Sequence, residues 1–208
     1  EPSLTYAYAP DPNVEPEELF QFDKVDTVDY LNQVRLGVRN KLQTKRRNRT
    51  WDLIDFDIYT YYFPRENLEG NDFSDIFFDL EIWPSNHLKF EADARWNTYD
   101  GTVESLNGQF TVFNQDKWAA NIEYRRLAHK SDLLASEFYF RINPNWAVKV
   151  YERYEFERDD LEEIEVTVYR DLHDWQSAFS FRHREDDNQF WVVFYLKGYP
   201  DMPIATGH

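Results

Sequence analysis

The sequence predicts an all-β protein, an antiparallel up-and-down meander of about twelve strands. We expect it to form a transmembrane β-barrel or the C-terminal part of a larger one. The first observation is that apolar and polar residues alternate with period two in successive runs, which is typical of strands with two different faces. The second is length: the runs span roughly 10 to 13 residues, whereas strands of globular proteins average ~5–6. A membrane-crossing strand needs ~9–11 residues.

Composition excludes several classes of function. The chain has 208 residues and a formal net charge of -16, without the basic stripe that a nucleic-acid partner requires. It contains no cysteine, so neither disulfides nor thiolate metal sites can form. Aromatic residues make up 18% of the chain, which indicates a folded protein rather than a disordered acidic one. We expect a single domain over residues 1–208.

The strands follow one another along the chain. Leu4, Tyr6 and Tyr8 mark a short first strand. Residues 9–29, rich in proline and acids, predict a long external loop. The apolar faces of later strands comprise Val34, Leu36 and Val38; Ile54, Phe56 and Ile58; Ile76, Phe78, Leu80 and Ile82; Leu88, Phe90, Ala92, Ala94 and Trp96; Leu106, Phe110 and Val112; Trp118, Ala120, Ile122 and Tyr124; Leu134, Phe138, Phe140 and Ile142; Trp146, Val148 and Val150; Ile164, Val166 and Val168; Phe179 and Phe181; and Phe190, Val192, Phe194 and Leu196. Residues 200–208 are predicted to be a tail, because Pro200 cannot donate to a continuing ladder.

Turn lengths predict how these strands pair. A two-residue turn places Leu172 opposite Trp175, and a four-residue turn places Phe181 opposite Val192. A three-residue turn ending at Gly101, with Gly101 at positive φ, keeps the apolar sets of its two strands together.

The apolar face packs on a protein core or on lipid. A soluble, aromatic-rich β-sandwich that binds carbohydrate is the first alternative, and an outer-membrane pore of another purpose is the second. Lipid is favoured because Trp and Tyr recur near strand ends, as in the aromatic girdles of membrane barrels. These residues are Trp83, Trp96, Tyr99, Trp118, Tyr124, Trp146, Tyr154 and Trp175. Glu152 is an exception, a carboxylate on the apolar face that we place opposite Val168.

The opposite face carries charges of both signs, which suit an aqueous lumen. The predicted lumen-facing residues are Arg35, Arg39, Asp55, Asp57, Asp79, Glu81, Lys89, Glu91, Asp93 and Arg95. Clustered carboxylates can bind calcium, but the interleaved cations favour a network of ion pairs.

The sequence predicts no catalytic site, no metal and no cofactor. Ser177 and His183 share the apolar face, but six residues along one strand separate them by about 20 Å, too far for a proton relay. The histidines show no metal-ligand spacing.

Four runs carry a resemblance to a known family: VRLGVRNKLQTKR at 34–46, WDLIDFDIYTYY at 51–62, NWAVKVYERYEFERDDLEEIEVTVYRDLHDWQ at 145–176 and REDDNQFWVVFYLKGYP at 184–200. They resemble the C-terminal barrel of the lipopolysaccharide-assembly outer-membrane proteins, the LptD or organic solvent tolerance family. The resemblance extends from about residue 23 to residue 200.

The resemblance implies a non-enzymatic protein of the bacterial outer membrane. Such a protein receives lipopolysaccharide from periplasmic bridge proteins and releases it into the outer leaflet through a lateral seam, while a lipoprotein plugs its lumen. The seam lies between the first and last barrel strands, so the last strand, residues 189–199, would be one lip. Its lateral-gate residues would be Phe190, Val192, Phe194, Leu196 and Tyr199. The same strand resembles the terminal signal that the barrel-assembly machinery reads.

Overall fold

The computed structural model describes residues 1–10, 30–46, 48–65, 70–114 and 117–207, the last nine by their backbone. These ranges contain thirteen strands: β1 (Pro2–Ala9), β2 (Leu31–Arg46), β3 (Arg49–Tyr62), β4 (Ile76–Ser85), β5 (Leu88–Trp96), β6 (Val103–Asn114), β7 (Trp118–Leu127), β8 (Ser131–Asn143), β9 (Trp146–Glu155), β10 (Asp160–Leu172), β11 (Trp175–Arg184), β12 (Asp187–Leu196) and β13 (Tyr199–Gly207). Within them, no helix is long and apolar enough to cross a membrane.

The strands pair in sequence order from β1 to β13, which confirms the predicted antiparallel meander. Several strands are long, with 16 residues in β2, 14 in β3 and 13 each in β8 and β10. The chain divides into two compact units, residues 1–80 with 94–103 and residues 81–93 with 104–208.

In the first unit β2 pairs with β1 on one side and with β3 on the other. The ladder places Val38 opposite Ile58 and Arg39 opposite Asp57. Apolar residues therefore share one face and charged residues the other, as the alternation predicts. Gly101 lies in the same unit and has a φ of 76°, which confirms its predicted backbone conformation. The surrounding turn covers residues 97–102, longer than the predicted three.

In the second unit several ladder rows join apolar residues only. One apolar row runs through Trp118, Phe140, Val148, Val168 and Phe179. The predicted closure of β10 on β11 is confirmed, with Leu172 opposite Trp175.

Successive hairpins of this unit are staggered by two residues. The end of the sheet with turns 144–145 and 173–174 is the short-turn end. There β7 begins with Trp118, whose row passes through Val148 and Phe179. The next hairpin extends to Trp146, two residues beyond Val148, and the following one to Trp175, four residues beyond Phe179. A constant stagger of this kind accompanies strands that tilt in a β-barrel.

The predicted register between β11 and β12 is wrong by two residues. Phe181 lies opposite Phe190, and Phe179 lies opposite Val192. The turn contains two residues instead of four, because Glu185 adopts a φ of 52° and Arg184 pairs directly with Asp187. A slip of two residues leaves every side chain on its predicted face.

The C-terminal tail is also a wrong prediction, because residues 199–207 form β13 and pair with β12. Pro200 falls where the ladder between Phe194 and Leu196 is irregular, so its missing N–H does not stop the pairing. Tyr199 consequently opens β13 and does not end the strand before it. The predicted external loop lies outside the described residues from residue 11 to residue 29.

Candidate functional site

Large apolar side chains are exposed on one face of each unit. In the first unit Leu4 is 72% exposed and Leu42 53%. In the second, Ile122 is 51% exposed and Phe190 55%. Other members of this apolar face that are exposed include Leu36, Val38, Phe110, Phe138, Phe140, Ile142, Leu161, Leu172, Phe179 and Phe181.

The charged face, by contrast, contains most of the buried residues of the second unit. Ala135, Ala147 and Ala178 are each at most 6% exposed, and they alternate with charged or hydroxylated neighbours on the same side of the strands. Thr167 and Ser180 are also buried there and share a hydrogen bond of 2.8 Å. A soluble sheet buries its apolar face and wets its charged face. This chain has the reverse arrangement.

In the first unit the predicted polar residues of β2 and β3 form ion pairs. Arg35 lies 2.9 Å from a carboxylate oxygen of Asp57. Arg39 donates two hydrogen bonds to Asp55, of 2.7 Å and 2.5 Å, in the bidentate geometry that suits a guanidinium and a carboxylate. Lys41, which the sequence did not single out, lies 3.2 Å from the same carboxylate.

A further part of the predicted polar set is paired in β4 and β5. Lys89 lies 3.2 Å from Glu81 and 2.6 Å from Glu91. Asp93 accepts a hydrogen bond of 2.8 Å from Asn107. Arg95, in the first unit, pairs with Asp75 at 2.8 Å. Asp79 also has a partner in its own surroundings.

The sequence did not reveal the most buried charge cluster, which lies where β9, β10 and β11 meet. The β10 ladder is irregular between Leu161 and Glu163, so both Glu162 and Glu163 reach Arg153, at 2.9 Å and 3.6 Å. Arg182 lies 3.7 Å from Glu163 on the other side. Strict alternation would send adjacent glutamates to opposite faces, which is why period-two reasoning cannot find this cluster.

Glu152 lies on the apolar face, as predicted, but its neighbour in β10 is Ile164 rather than Val168. Its carboxylate accepts a hydrogen bond of 2.8 Å from the hydroxyl of Ser136 in β8. The difference comes from the turn, which covers residues 156–159, because the irregularity at residue 162 moves the pairing by only one residue.

Aromatic residues mark both ends of the apolar face in the second unit. Trp118, Trp146 and Trp175 begin strands at the short-turn end, and Tyr124 and Tyr154 lie near the opposite ends of β7 and β9. Trp83 does not belong to them, because it contacts Lys89 and donates a hydrogen bond to Glu81 on the charged face.

Four of the residues that the sequence assigned to a gate share the apolar face of β12. Phe190, Val192, Phe194 and Leu196 lie opposite Phe181, Phe179, Ser177 and Trp175 of β11. The strand also pairs with β13 on its other side, and Tyr199 of β13 lies opposite Leu196.

The residues weighed for catalysis are not brought together. Ser177 is buried beside Arg170, whose carbonyl accepts its hydroxyl hydrogen bond at 3.4 Å, whereas Nδ1 of His183 contacts Asn188 at 2.9 Å. In the part of the chain that the structure describes, no three His, Asp or Glu side chains are grouped to hold a metal ion.

A buried carboxylate fixes the turn end of β9. Glu155 is 5% exposed and accepts hydrogen bonds from the Ser131 hydroxyl and the Asp132 N–H, both at 2.7 Å. The Ser131 hydrogen bond is the main reason why the pKa of Glu155 is lowered from its ordinary value.

Comparison with known families decides the identity at the level of the family. A family model described as LPS transport system D, LptD, matches residues 1–133. The chain belongs to this family. The matched part includes the runs at 34–46 and 51–62, and the runs at 145–176 and 184–200 lie beyond it. No curated protein sequence matches the chain. Membership of the LptD family implies lipopolysaccharide as the transported substrate.

Proposed function

We propose that the chain is part of an outer-membrane β-barrel that transports lipopolysaccharide and inserts it into the outer leaflet, without enzymatic activity. The observation that carries the proposal is the reversed burial: large apolar side chains are exposed, while the charges of the opposite face are paired and, in the second unit, that face contains most of the buried residues. Lipid is the environment in which exposed Phe, Ile and Leu on alternate residues of long strands are stable.

The dimensions of the apolar face support a membrane location. From Trp146 to Tyr154, strand β9 rises by about 26 Å at ~3.3 Å per residue, which is roughly 20 Å of height at a 40° tilt. Membrane barrels have an apolar band ~25 Å tall between two aromatic girdles. The stagger of successive hairpins fits tilted strands in the same way.

The polar face suits the lumen of such a barrel. Within the predicted set Arg35 neutralises Asp57, Arg39 neutralises Asp55, and Lys89 contacts Glu81 and Glu91, which lowers the cost of a charged interior. Family membership supports lipopolysaccharide as the transported substrate. The proposal also includes the periplasmic bridge proteins, the plug lipoprotein and the barrel-assembly machinery as partners. In the proposal Phe190 and Phe194 of β12 face the lipid beside the seam.

A two-stage experiment tests the proposal. The protein should require detergent for extraction and should migrate differently on gels before and after boiling. A photo-crosslinker at Phe190 or Phe194 should then form adducts with lipopolysaccharide in living cells, whereas one at Tyr195, on the other face of β12, should form fewer. A monomer that stays in plain buffer would rule out the membrane location. Extraction in detergent without lipopolysaccharide adducts would instead favour a barrel of another purpose.

A further inference from the structure

Arg170 differs from the paired cations of the second unit's charged face, because it lies on the apolar face. It is opposite Trp146 of β9 and Ser177 of β11. Its guanidinium carbon lies 4.4 Å from the centre of the Trp146 ring. Within the described ranges, no carboxylate lies within ion-pair distance of this guanidinium, although Lys89, Lys149, Arg153 and Arg182 all have one.

The nearest acid along the chain does not neutralise Arg170. Asp171 points to the opposite face, where its carboxylate binds the Lys197 ammonium at 2.6 Å. The half-buried guanidinium of Arg170 has five N–H donors in a planar fork. Its central carbon lies over the Trp146 ring, and among the described residues its N–H groups make no side-chain hydrogen bond, so they are available as donors.

The place of Arg170 and Trp146 along their strands indicates which anion lies near them. Trp146 begins β9 at the short-turn end and is 37% exposed, and Trp175 and Leu172 continue the apolar face by one more row toward the turn. If this face lies in a bilayer, Arg170 reaches the level at which acyl chains meet headgroups. Short turns of bacterial outer-membrane barrels face the periplasm, so this level belongs to the leaflet of phospholipids.

We propose that Arg170, stacked on Trp146, binds the phosphate of a glycerophospholipid headgroup in the periplasmic leaflet. The guanidinium donates hydrogen bonds to the phosphate oxygens, and the indole and Leu172 pack against the first part of the acyl chains. The inference rests on the proposed membrane location of the apolar face. It adds a lipid site whose cation is fixed by an aromatic ring instead of a carboxylate.

The test uses the protein in a neutral maltoside detergent with added phosphatidylglycerol, and native mass spectrometry counts the lipids retained. Diacylglycerol with the same acyl chains, which lacks the phosphate, is the reference lipid. Arg170→Gln should weaken phosphatidylglycerol retention roughly tenfold, the effect of losing a charge-assisted hydrogen bond, and should leave diacylglycerol retention unchanged. Trp146→Phe should cause a smaller loss of the same kind, because the flat ring contact weakens.

Lys197→Gln is the matched control, since it removes a cation from the same end of the sheet but from the charged face. It should retain phosphatidylglycerol as the unmodified protein does. Arg170→Lys, which keeps the charge and loses the planar fork, provides a second variant and should show an intermediate loss.

Three results would overturn the proposal. Equal retention of phosphatidylglycerol by the unmodified protein and Arg170→Gln would remove the site and leave the membrane location intact. Displacement of phosphatidylglycerol by millimolar inorganic phosphate would assign the pair to a free anion. A protein that carries neither detergent nor lipid would reject the membrane location and this inference together.

Discussion

The hydroxyl of Ser136 donates a hydrogen bond of 2.8 Å to the carboxylate of Glu152, on the face where large apolar side chains are exposed. Glu152 lies two residues from Tyr154, and its row neighbours include Ile164. In lipid, one hydrogen bond from a serine compensates only part of the cost of a carboxylate. In water, the same pair would cost almost nothing. Glu152 therefore distinguishes the two environments.

Replacing Glu152 with leucine should stabilise the protein if this face lies in lipid. An acidic side chain on the lipid face costs less than the ~2–4 kcal/mol of Arg or Lys, so a gain of about 1 kcal/mol is expected. The measurement is the free energy of unfolding in urea, with the protein reconstituted in lipid vesicles. Ser136→Ala, which removes only the hydrogen bond, should be neutral or slightly destabilising. An unchanged or lowered free energy for Glu152→Leu would contradict a lipid environment.

Arg153→Leu should be among the most destabilising single substitutions on the charged face. It would remove the cation that the buried carboxylates of Glu162 and Glu163 share, leaving Glu162 with Arg158 and Glu163 with Arg182, at a cost of about 2–3 kcal/mol. Arg125→Leu is the matched control, because the Arg125 side chain is 61% exposed and its ion pair with Glu123 should contribute less than ~1 kcal/mol. Urea unfolding of the two variants side by side measures the difference. Similar losses would mean that the Arg153 cluster is hydrated.

Gly37→Ala should destabilise β2, whereas Gly108→Ala in β6 should not. A Cβ at Gly37 would lie 2.8 Å from the Ser3 hydroxyl and 3.0 Å from Nη1 of Arg35, but no atom lies within 4 Å of one at Gly108. The side chains of Ser3 and Arg35 can both move away from such a Cβ. Arg35 would then lose its position 4.0 Å above the Tyr59 ring, and we expect a cost of about 1 kcal/mol. Equal unfolding free energies for the two variants would show that Arg35 relaxes without loss.

Much of this fold could be predicted from the sequence because a strand's faces depend only on parity. The alternation along β10 and β12 assigns Val168 and Phe194 to one face whatever the register. For the same reason, the register between Phe181 and Val192 was mispredicted without any change of face. Register depends on turn geometry, and nothing in Glu185-Asp186 signals that a glutamate will adopt positive φ.

The polar pairs were predictable in kind but not in detail. Charges of both signs on one face imply ion pairs, and Arg39 with Asp55 confirms this. The Arg153 cluster depends on an irregularity in β10. The partner of Arg170 is the ring of Trp146, the first residue of the preceding strand. Such contacts follow from the ladder, which the alternation alone does not determine.

Acid should loosen the turn that Glu155 fixes. The pKa of Glu155 is lowered in the folded protein, so its contribution to stability is present above the ordinary pKa of 4.5 and is lost as pH falls through the lowered value. Hydrogen exchange at the amide of Asp132, which donates to Glu155, should therefore accelerate beyond its intrinsic pH dependence as pH falls below this ordinary pKa. Glu155→Gln should show fast exchange of this amide at every pH. Glu157→Gln, at an exposed site of the same turn, should behave as the unmodified protein does.

Engineered cysteines can test the register beside the proposed seam, since the chain has none of its own. Phe181→Cys with Phe190→Cys should form a disulfide on mild oxidation, because the two residues lie directly opposite each other. Cβ atoms of directly opposed residues are about 4.5–5.5 Å apart, within reach of a disulfide after small adjustments. Phe181→Cys with Val192→Cys should react slowly, because that diagonal spans roughly 7–8 Å. Gel mobility with and without reductant measures both rates. Faster closure of the second pair would mean that β12 is shifted by two residues, and that Val192 rather than Phe190 lies level with Phe181 on the lipid side.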